Sequence, residues 1–118
     1  MKFEQIRESI KAAWGVEKND IAVISQNVPE NEILCQLSEE CSELAQAALK
    51  LRRTTIKTNP TPQTKEIAFA NLAEETADVL ACLDLIFDNE EETKRAIEQL
   101  KLLKLKRWAD RVSKLDKK

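Results

Sequence analysis

Histidine is absent from all 118 residues, and tyrosine is absent as well. Without histidine, the chain lacks the Glu-x-x-His ligand sets of di-iron helical bundles. It also lacks imidazole acid–base catalysis and the Ser-His and Cys-His nucleophile pairs of many hydrolases. Any catalytic or metal site in this chain therefore depends on other side chains.

Glycine occurs only once, proline three times, and aromatic residues make up 4% of the chain. Alanine, leucine, glutamate and lysine dominate instead, and runs of β-branched residues are missing. The dominant residues are strong helix formers. We therefore predict an all-α protein, folded as one four-helix bundle-like domain over residues 1–118.

The three cysteines, Cys35, Cys41 and Cys82, are odd in number and match no zinc-ligand spacing. We interpret them as reduced residues in or near the core. The sequence shows no signal peptide and no apolar run that could span a bilayer, so we expect a cytoplasmic protein without a membrane partner.

Residues 101–118 hold six lysines, two arginines and two aspartates. The mixed signs do not argue for duplex nucleic acid, and we expect no nucleic-acid partner.

Apolar periodicity predicts four helices, at 2–14, 29–53, 63–87 and 90–115. Gly15 is predicted to cap the first helix, which leaves residues 16–28 as a connection with at most a short helical turn. Residues 54–62 are rich in proline and threonine and are predicted to form a loop. Asn89 is predicted to cap the fourth helix.

Two similar phrases stand 35 residues apart in the predicted second and third helices. Residues 37–44 read Leu-Ser-Glu-Glu-Cys-Ser-Glu-Leu, and residues 72–79 read Leu-Ala-Glu-Glu-Thr-Ala-Asp-Val. Each phrase places carboxylates at i and i+3, which are neighbours on a helix surface. If the two helices pack together, four carboxylates meet and require cations. An all-carboxylate site selects Mg²⁺ or Mn²⁺ over zinc or copper.

Helical periodicity places one glutamate of each phrase beside the apolar stripe of its helix. At about 100° per residue, the apolar residues lie between about +20° and +80° from Glu40 on one helix and from Glu75 on the other. The two stripes are Ile33, Leu37, Leu44, Ala48 and Leu51, and Ala68, Leu72, Val79, Leu83 and Ile86. A metal or a cationic side chain would offset the cost of carboxylates so close to a core. The alternative is that these strings form solvated helix faces.

Glu40-x-x-Glu43 followed by Glu75-x-x-Asp78 resembles the signature of the MazG-like, all-α nucleoside triphosphate pyrophosphohydrolases. The doubled glutamates and the apolar residues after each set fit that signature, and the resemblance covers residues 30–88 well. One departure is the spacer between Glu43 and Glu75, whose 31 residues exceed the usual length in compact members. The excess falls in the loop 54–62, where an insertion disturbs no helix phase.

The resemblance implies an enzyme that hydrolyses (deoxy)nucleoside triphosphates between the α- and β-phosphates, in nucleotide-pool house-cleaning. It implies Mg²⁺ as cofactor, with Mn²⁺ as a possible substitute. The residues carried over as metal ligands and catalytic residues are Glu40, Glu43, Glu75 and Asp78. Glu39 is predicted to be an assisting base or to support a metal ligand, and Glu74 is the weaker candidate. The alternative for both is a solvent-facing glutamate.

Members of this family carry a basic helix after the second carboxylate motif, and here Lys101, Lys104 and Arg107 share one face of the fourth helix. We predict that Lys104 and Arg107 contact the β- and γ-phosphates, against the alternative of a solvated basic face. Trp14 and Trp108 are candidates for stacking on the base, and the alternative for each is a core or subunit-interface position.

Compact members of the family assemble as dimers of dimers, with sites where subunits meet. The string Leu100, Leu102, Leu103 and Leu105 spreads apolar residues over more than one face of the fourth helix. We therefore predict a homotetramer, with a homodimer as second choice. Two other functions stay open: a nucleotide- or alarmone-binding regulatory bundle without catalysis, and a helical interaction module whose glutamates pair with the basic tail.

Overall fold

The structure is a computed structural model and describes residues 14–115. Over this range it contains four α-helices and no strand. They are α1 (Trp14–Asn27), α2 (Glu30–Arg53), α3 (Lys65–Ile86) and α4 (Glu91–Leu115). The all-α prediction is confirmed.

The prediction of a connection at 16–28 is wrong, because α1 occupies most of that range. Gly15 lies inside this helix instead of capping an earlier one. A glycine destabilises a helix by only about 1 kcal/mol, which does not suffice to end α1 at Gly15. The helix ends at Asn27 instead. The Val28 amide still donates to the Ile24 carbonyl at 2.8 Å, and Pro29 then disfavours a helical residue before it. The predicted helix 2–14 lies outside the described residues, apart from its last residue.

Helices α2 and α3 begin and end close to the predicted residues. Pro29 is the N-cap of α2, with an extended backbone (φ −63°, ψ 151°). At the other end, the Thr54 hydroxyl donates to the Leu51 carbonyl at 2.7 Å, which satisfies one of the free carbonyls of the last turn. Thr64 directly precedes α3, and its Oγ1 accepts a hydrogen bond from the Ile67 amide at 3.2 Å. Residues 54–64 connect the two helices without regular structure, as the loop prediction required.

Helices α2 and α3 pack against each other, and α1 also contacts α3. The buried apolar residues of the described chain all lie on α2 and α3: Ile33, Ala47, Ala68 and Cys82. Two of them stand seven residues before and after Glu40, and the other two stand seven residues before and after Glu75. Because seven residues make about two helical turns, each glutamate lies on the buried line of its helix. The buried lines therefore run through Glu40 and Glu75, whereas the predicted stripes lay to one side of these residues. Ala48, which was expected at the core, is exposed.

The chain divides into two units after Ile86, and α4 belongs to the second unit. In the turn before α4, Asn89 has a positive φ of 62°, a conformation that asparagine tolerates better than most residues. The residue directly before α4 is Glu90, so the predicted capping role of Asn89 is wrong. Helix α4 carries two exposed ion pairs of its own, Lys94–Glu91 at 3.3 Å and Lys101–Glu98 at 2.8 Å.

All three cysteines are free thiols. Cys82 is buried as predicted, whereas Cys35 and Cys41 are exposed, and the core prediction is wrong for both. Their positions lie about 140° and 100° around α2 from Glu40, away from the buried line. Within the described residues, no helix combines the length and the apolar character needed to cross a membrane.

Candidate metal centre

The four carboxylates singled out by the twin phrases come together between α2 and α3. One oxygen each of Glu40, Glu43, Glu75 and Asp78 lies within 4.8 Å of all the others. Glu40 and Glu75, on the buried lines of their helices, are half-buried, and Glu43 and Asp78 are exposed. Each helix therefore contributes one inner and one outer carboxylate to a single cluster.

Two oxygens of this cluster lack a partner that would explain their burial. Glu40 Oε2 and Glu75 Oε2 are both buried, and neither has a hydrogen-bond partner among the described residues. No ion pair in that part of the chain involves a cluster carboxylate either. Buried carboxylate oxygens without a donor or a cation are costly. The donor set, four carboxylates from two facing helices, therefore fits a hard divalent cation such as Mg²⁺ or Mn²⁺.

Gln36 holds Glu40 from one helical turn earlier. Its Nε2 donates to Glu40 Oε1 at 2.7 Å, which leaves Oε2 as the oxygen directed to the cluster. The hydrogen bond from Gln36 lowers the pKa of Glu40, but partial burial and the neighbouring carboxylates of Glu43 and Asp78 outweigh it, so that the pKa is raised. Glu40 is therefore protonated more readily than an ordinary glutamate, whereas a metal ligand has to be ionised.

Cys82 lies close enough to the cluster to share its electrostatic field. Burial raises the pKa of the Cys82 thiol, and the charges of Glu40 and Asp78 raise it further. The sulfur therefore stays protonated at neutral pH. Cys82 is not a member of the cluster, whose four potential donor atoms are all carboxylate oxygens.

A cavity of about 320 Å³ adjoins the cluster. Glu43 and Glu75 form part of both, so the cavity opens directly beside the carboxylates. Later residues of α2 face earlier residues of α3 across it, which means that the two helices run antiparallel. Its other lining residues are Gln46, Ala47, Lys50, Gln63, Ala68 and Asn71.

The remaining predicted site residues lie outside the carboxylate cluster. Glu39 and Glu74 are exposed, and neither belongs to it. Lys104 and Arg107 are exposed on α4, in the second unit of the chain. Trp14 begins α1, and its side chain lies outside the described part of the structure. The roles given to these five residues stay predictions.

Sequence reasoning missed Gln36 and Gln63. Gln36 stands four residues before Glu40, a spacing that places a side-chain donor beside a carboxylate on a helix, so a signal for it was present. Gln63 lies in the irregular connection before α3, where no periodicity predicts which side chains face the helices. Its position beside the cavity follows only from the fold.

No family model matches the chain, and searches of curated proteins and of solved structures found no match either. The function is therefore argued from the site itself.

Proposed function

We propose that this protein is a Mg²⁺-dependent nucleoside triphosphate pyrophosphohydrolase. The observation that carries the proposal is the four-carboxylate cluster, in which two buried oxygens, Glu40 Oε2 and Glu75 Oε2, have no partner in the described chain. Such a donor set suits a cation that manages phosphate charge. The MazG-like pattern of the four carboxylates supports the choice of reaction.

The four carboxylates would hold the metal, which when bound would neutralise phosphate charge and activate water for attack. Glu40 and Glu75 have their inner oxygens oriented by the packing of the helices, and Gln36 fixes the rotamer of Glu40. Glu43 and Asp78, one turn further along, complete the set from the exposed side. The cavity beside Glu43 and Glu75 gives the substrate a place to bind.

The reaction adds water across the linkage between the α- and β-phosphates. The bond between the α-phosphorus and the bridging oxygen breaks, and a new bond forms from that phosphorus to the water oxygen. Pyrophosphate leaves with the bridging oxygen, and a nucleoside monophosphate remains. A carboxylate accepts the proton that water loses, since the chain has no histidine. Glu39 is the first candidate for this base, and Glu74 the second.

We further propose that the enzyme is cytoplasmic and acts as a homotetramer on surplus or noncanonical nucleotides. Apolar side chains exposed on α2 and α3, such as Leu34, Leu49, Phe69 and Leu80, support self-association, because large exposed apolar surfaces mark interaction sites. Lys104 and Arg107 of α4 are the proposed contacts of the β- and γ-phosphates.

Pyrophosphate release from a panel of ribo- and deoxynucleoside triphosphates, with Mg²⁺ and with EDTA, tests the proposal. Asp78→Asn is expected to lower the Mg²⁺-dependent release by about 100-fold or more, since removal of even a supporting group costs 10–100-fold. Asp84→Asn, an exposed carboxamide substitution on the same helix, is the control and is expected to retain activity. Glu39→Gln and Glu74→Gln test the candidate bases.

The alternatives give different outcomes in the same assays. A regulator that binds nucleotides without cleaving them would be stabilised by Mg²⁺ and nucleotide against thermal unfolding, but would release no pyrophosphate. An interaction module would show neither effect.

A further inference from the structure

The cavity beside the carboxylates extends along the two helices, away from the proposed metal. On α2 its lining runs from Glu43 to Lys50, and on α3 it runs from Glu75 back to Ala68. Seven residues of helix rise about 10 Å, so the cavity covers about two turns of each helix. Its volume of about 320 Å³ lies in the range of small-molecule sites. A substrate whose phosphates bind at the carboxylates can extend its remainder into this space.

Among the described residues, few of those that line the cavity beyond the carboxylates are charged. Apart from Glu43 and Glu75, Lys50 is the only charged side chain in that described lining. The other described lining residues are three carboxamides and two alanines, Gln46, Gln63, Asn71, Ala47 and Ala68. A polyphosphate tail needs several cationic or N–H donors. Methyl groups and carboxamides instead match an uncharged heterocycle with polar edges.

Gln63 provides a second, independent observation. Its Oε1 is buried and has no hydrogen-bond partner among the described residues. A buried amide oxygen requires a donor. Ionised phosphate oxygens only accept hydrogen bonds, whereas nucleobases carry N–H and amino donors along their edges. Lys50 has three donors and no acceptor, so its partner on a base is an acceptor, either a carbonyl oxygen or an unprotonated ring nitrogen.

We infer that this cavity binds the nucleobase of the substrate, a subsite that rests on the proposed function. Gln63 Oε1 accepts a hydrogen bond from a base N–H, and Lys50 donates to a base carbonyl oxygen. The two side chains determine base specificity and take no part in bond cleavage. Adenine has no carbonyl oxygen, so nucleotides of uracil, thymine, cytosine, guanine and hypoxanthine are preferred over those of adenine.

Uncharged nucleosides test the subsite without metal or catalysis. Thermal unfolding and calorimetric titration are run in EDTA with uridine, cytidine, inosine and adenosine, and with inorganic triphosphate. Inosine and adenosine form the matched pair, because they differ only at one edge, where inosine has a carbonyl oxygen and a ring N–H and adenosine has an amino group and an unprotonated ring nitrogen. We expect saturable binding of the carbonyl-bearing nucleosides that is about tenfold or more weaker in Gln63→Leu. Gln99→Leu, an exposed change on α4, is the control and is expected to leave binding unchanged.

Lys50→Met is the second variant, because Lys50 is exposed at the end of α2 and its replacement leaves the helix intact. It is expected to reduce the preference for inosine over adenosine. In the hydrolysis assay, Lys50→Met is expected to lower kcat/KM for carbonyl-bearing nucleotides by about tenfold or more and to change kcat/KM for ATP far less, because adenine has no carbonyl oxygen. Circular dichroism melts of each variant confirm that the fold is retained.

Two results overturn the subsite. One is Gln63-dependent binding of inorganic triphosphate, which would assign the cavity to phosphates. The other is an equal loss of kcat/KM for all bases in Lys50→Met, together with no nucleoside binding in EDTA. The proposed function fails separately: nucleoside binding that depends on Gln63, without any release of pyrophosphate, would retain the base subsite and reject the hydrolase.

Discussion

Glu40 is a charged residue on the buried line of α2, and the ion pairs among the described residues bring no cation to it. Its pKa is raised by burial and by Glu43 and Asp78, against the lowering effect of Gln36. The folded state therefore binds its proton more tightly than the unfolded state does. As pH rises from the ordinary pKa of a glutamate through the raised one, the metal-free fold loses stability.

Glu40→Gln is accordingly expected to raise the unfolding temperature at neutral pH in EDTA, since it removes the repulsion and retains the size of the side chain. The same variant is expected to lose the stabilisation that Mg²⁺ gives to the wild type. Differential scanning calorimetry at several pH values, with and without Mg²⁺, measures both effects. Glu32→Gln, exposed on the same helix, should behave as the wild type does. If the unfolding temperature of the wild type in EDTA rose with pH across the acidic range, it would contradict the raised pKa of Glu40.

Gln36 acts on the cluster through Glu40 and is a positioning residue. Its hydrogen bond of 2.7 Å fixes which oxygen of Glu40 faces the other carboxylates. Gln36→Leu is expected to weaken metal binding by about 10–100-fold, because groups that orient ligands have effects of that size. Isothermal titration with Mn²⁺ measures the affinity, and Gln26→Leu on α1 is the matched control. Equal affinities in Gln36→Leu and the wild type would show that Glu40 needs no support.

At the scale of the helices, local signals decided which predictions succeeded. The bounds of α2, α3 and α4 follow from Pro29, from the loop 54–64 and from the turn before α4, all readable in the sequence. The predicted helix end at Gly15 was wrong, because one glycine destabilises a helix only slightly, whereas Pro29 disfavours a helical conformation in the residue before it. The apolar stripes were nearly right, yet the exact buried line depends on how α2 and α3 face each other. That packing placed Ala47 and Cys82 inside and Ala48 outside.

Thr64 directly precedes α3, the helix that carries Glu75 and Asp78. Its Oγ1 accepts a hydrogen bond from the Ile67 amide. Thr64→Ala is expected to lower the free energy of unfolding by about 1 kcal/mol, since this is the usual effect of losing an N-cap side chain. Urea unfolding followed by circular dichroism gives the value. Thr64→Ser keeps the hydroxyl and should restore most of the stability, whereas Thr58→Ala, exposed in the same connection, should change little. A loss in Thr58→Ala as large as in Thr64→Ala would argue against a cap.

At the scale of the whole molecule, the described part of the first unit buries few apolar side chains. Only four apolar residues of the described chain are buried, and two of these are alanines. On α3, Phe69 and Leu80 are 60% and 53% exposed, and their spacing of eleven residues places them on one face, about 20° apart. The sequence predicted surplus apolar residues on α4, but the ones on α2 and α3 were identified only by the fold, since periodicity alone does not show which of two apolar faces another helix covers.

Self-association is the expected consequence, because an exposed apolar stripe is stabilised by burial against a second copy at about 25 cal/mol per Å² of apolar surface. Light scattering coupled to size-exclusion chromatography should give a mass that is a multiple of the 13.5 kDa chain, with four copies as the first expectation. Phe69→Asp and Leu80→Asp are each expected to shift the distribution to smaller species, because a buried unpaired charge opposes an apolar interface. Lys57→Ala changes the net charge by the same amount in the exposed connection and should leave the mass unaltered. A mass of one chain at every concentration would show that these faces stay in contact with water, and the tetramer would have to be abandoned. The carboxylate site would stand, because its four carboxylates belong to one chain.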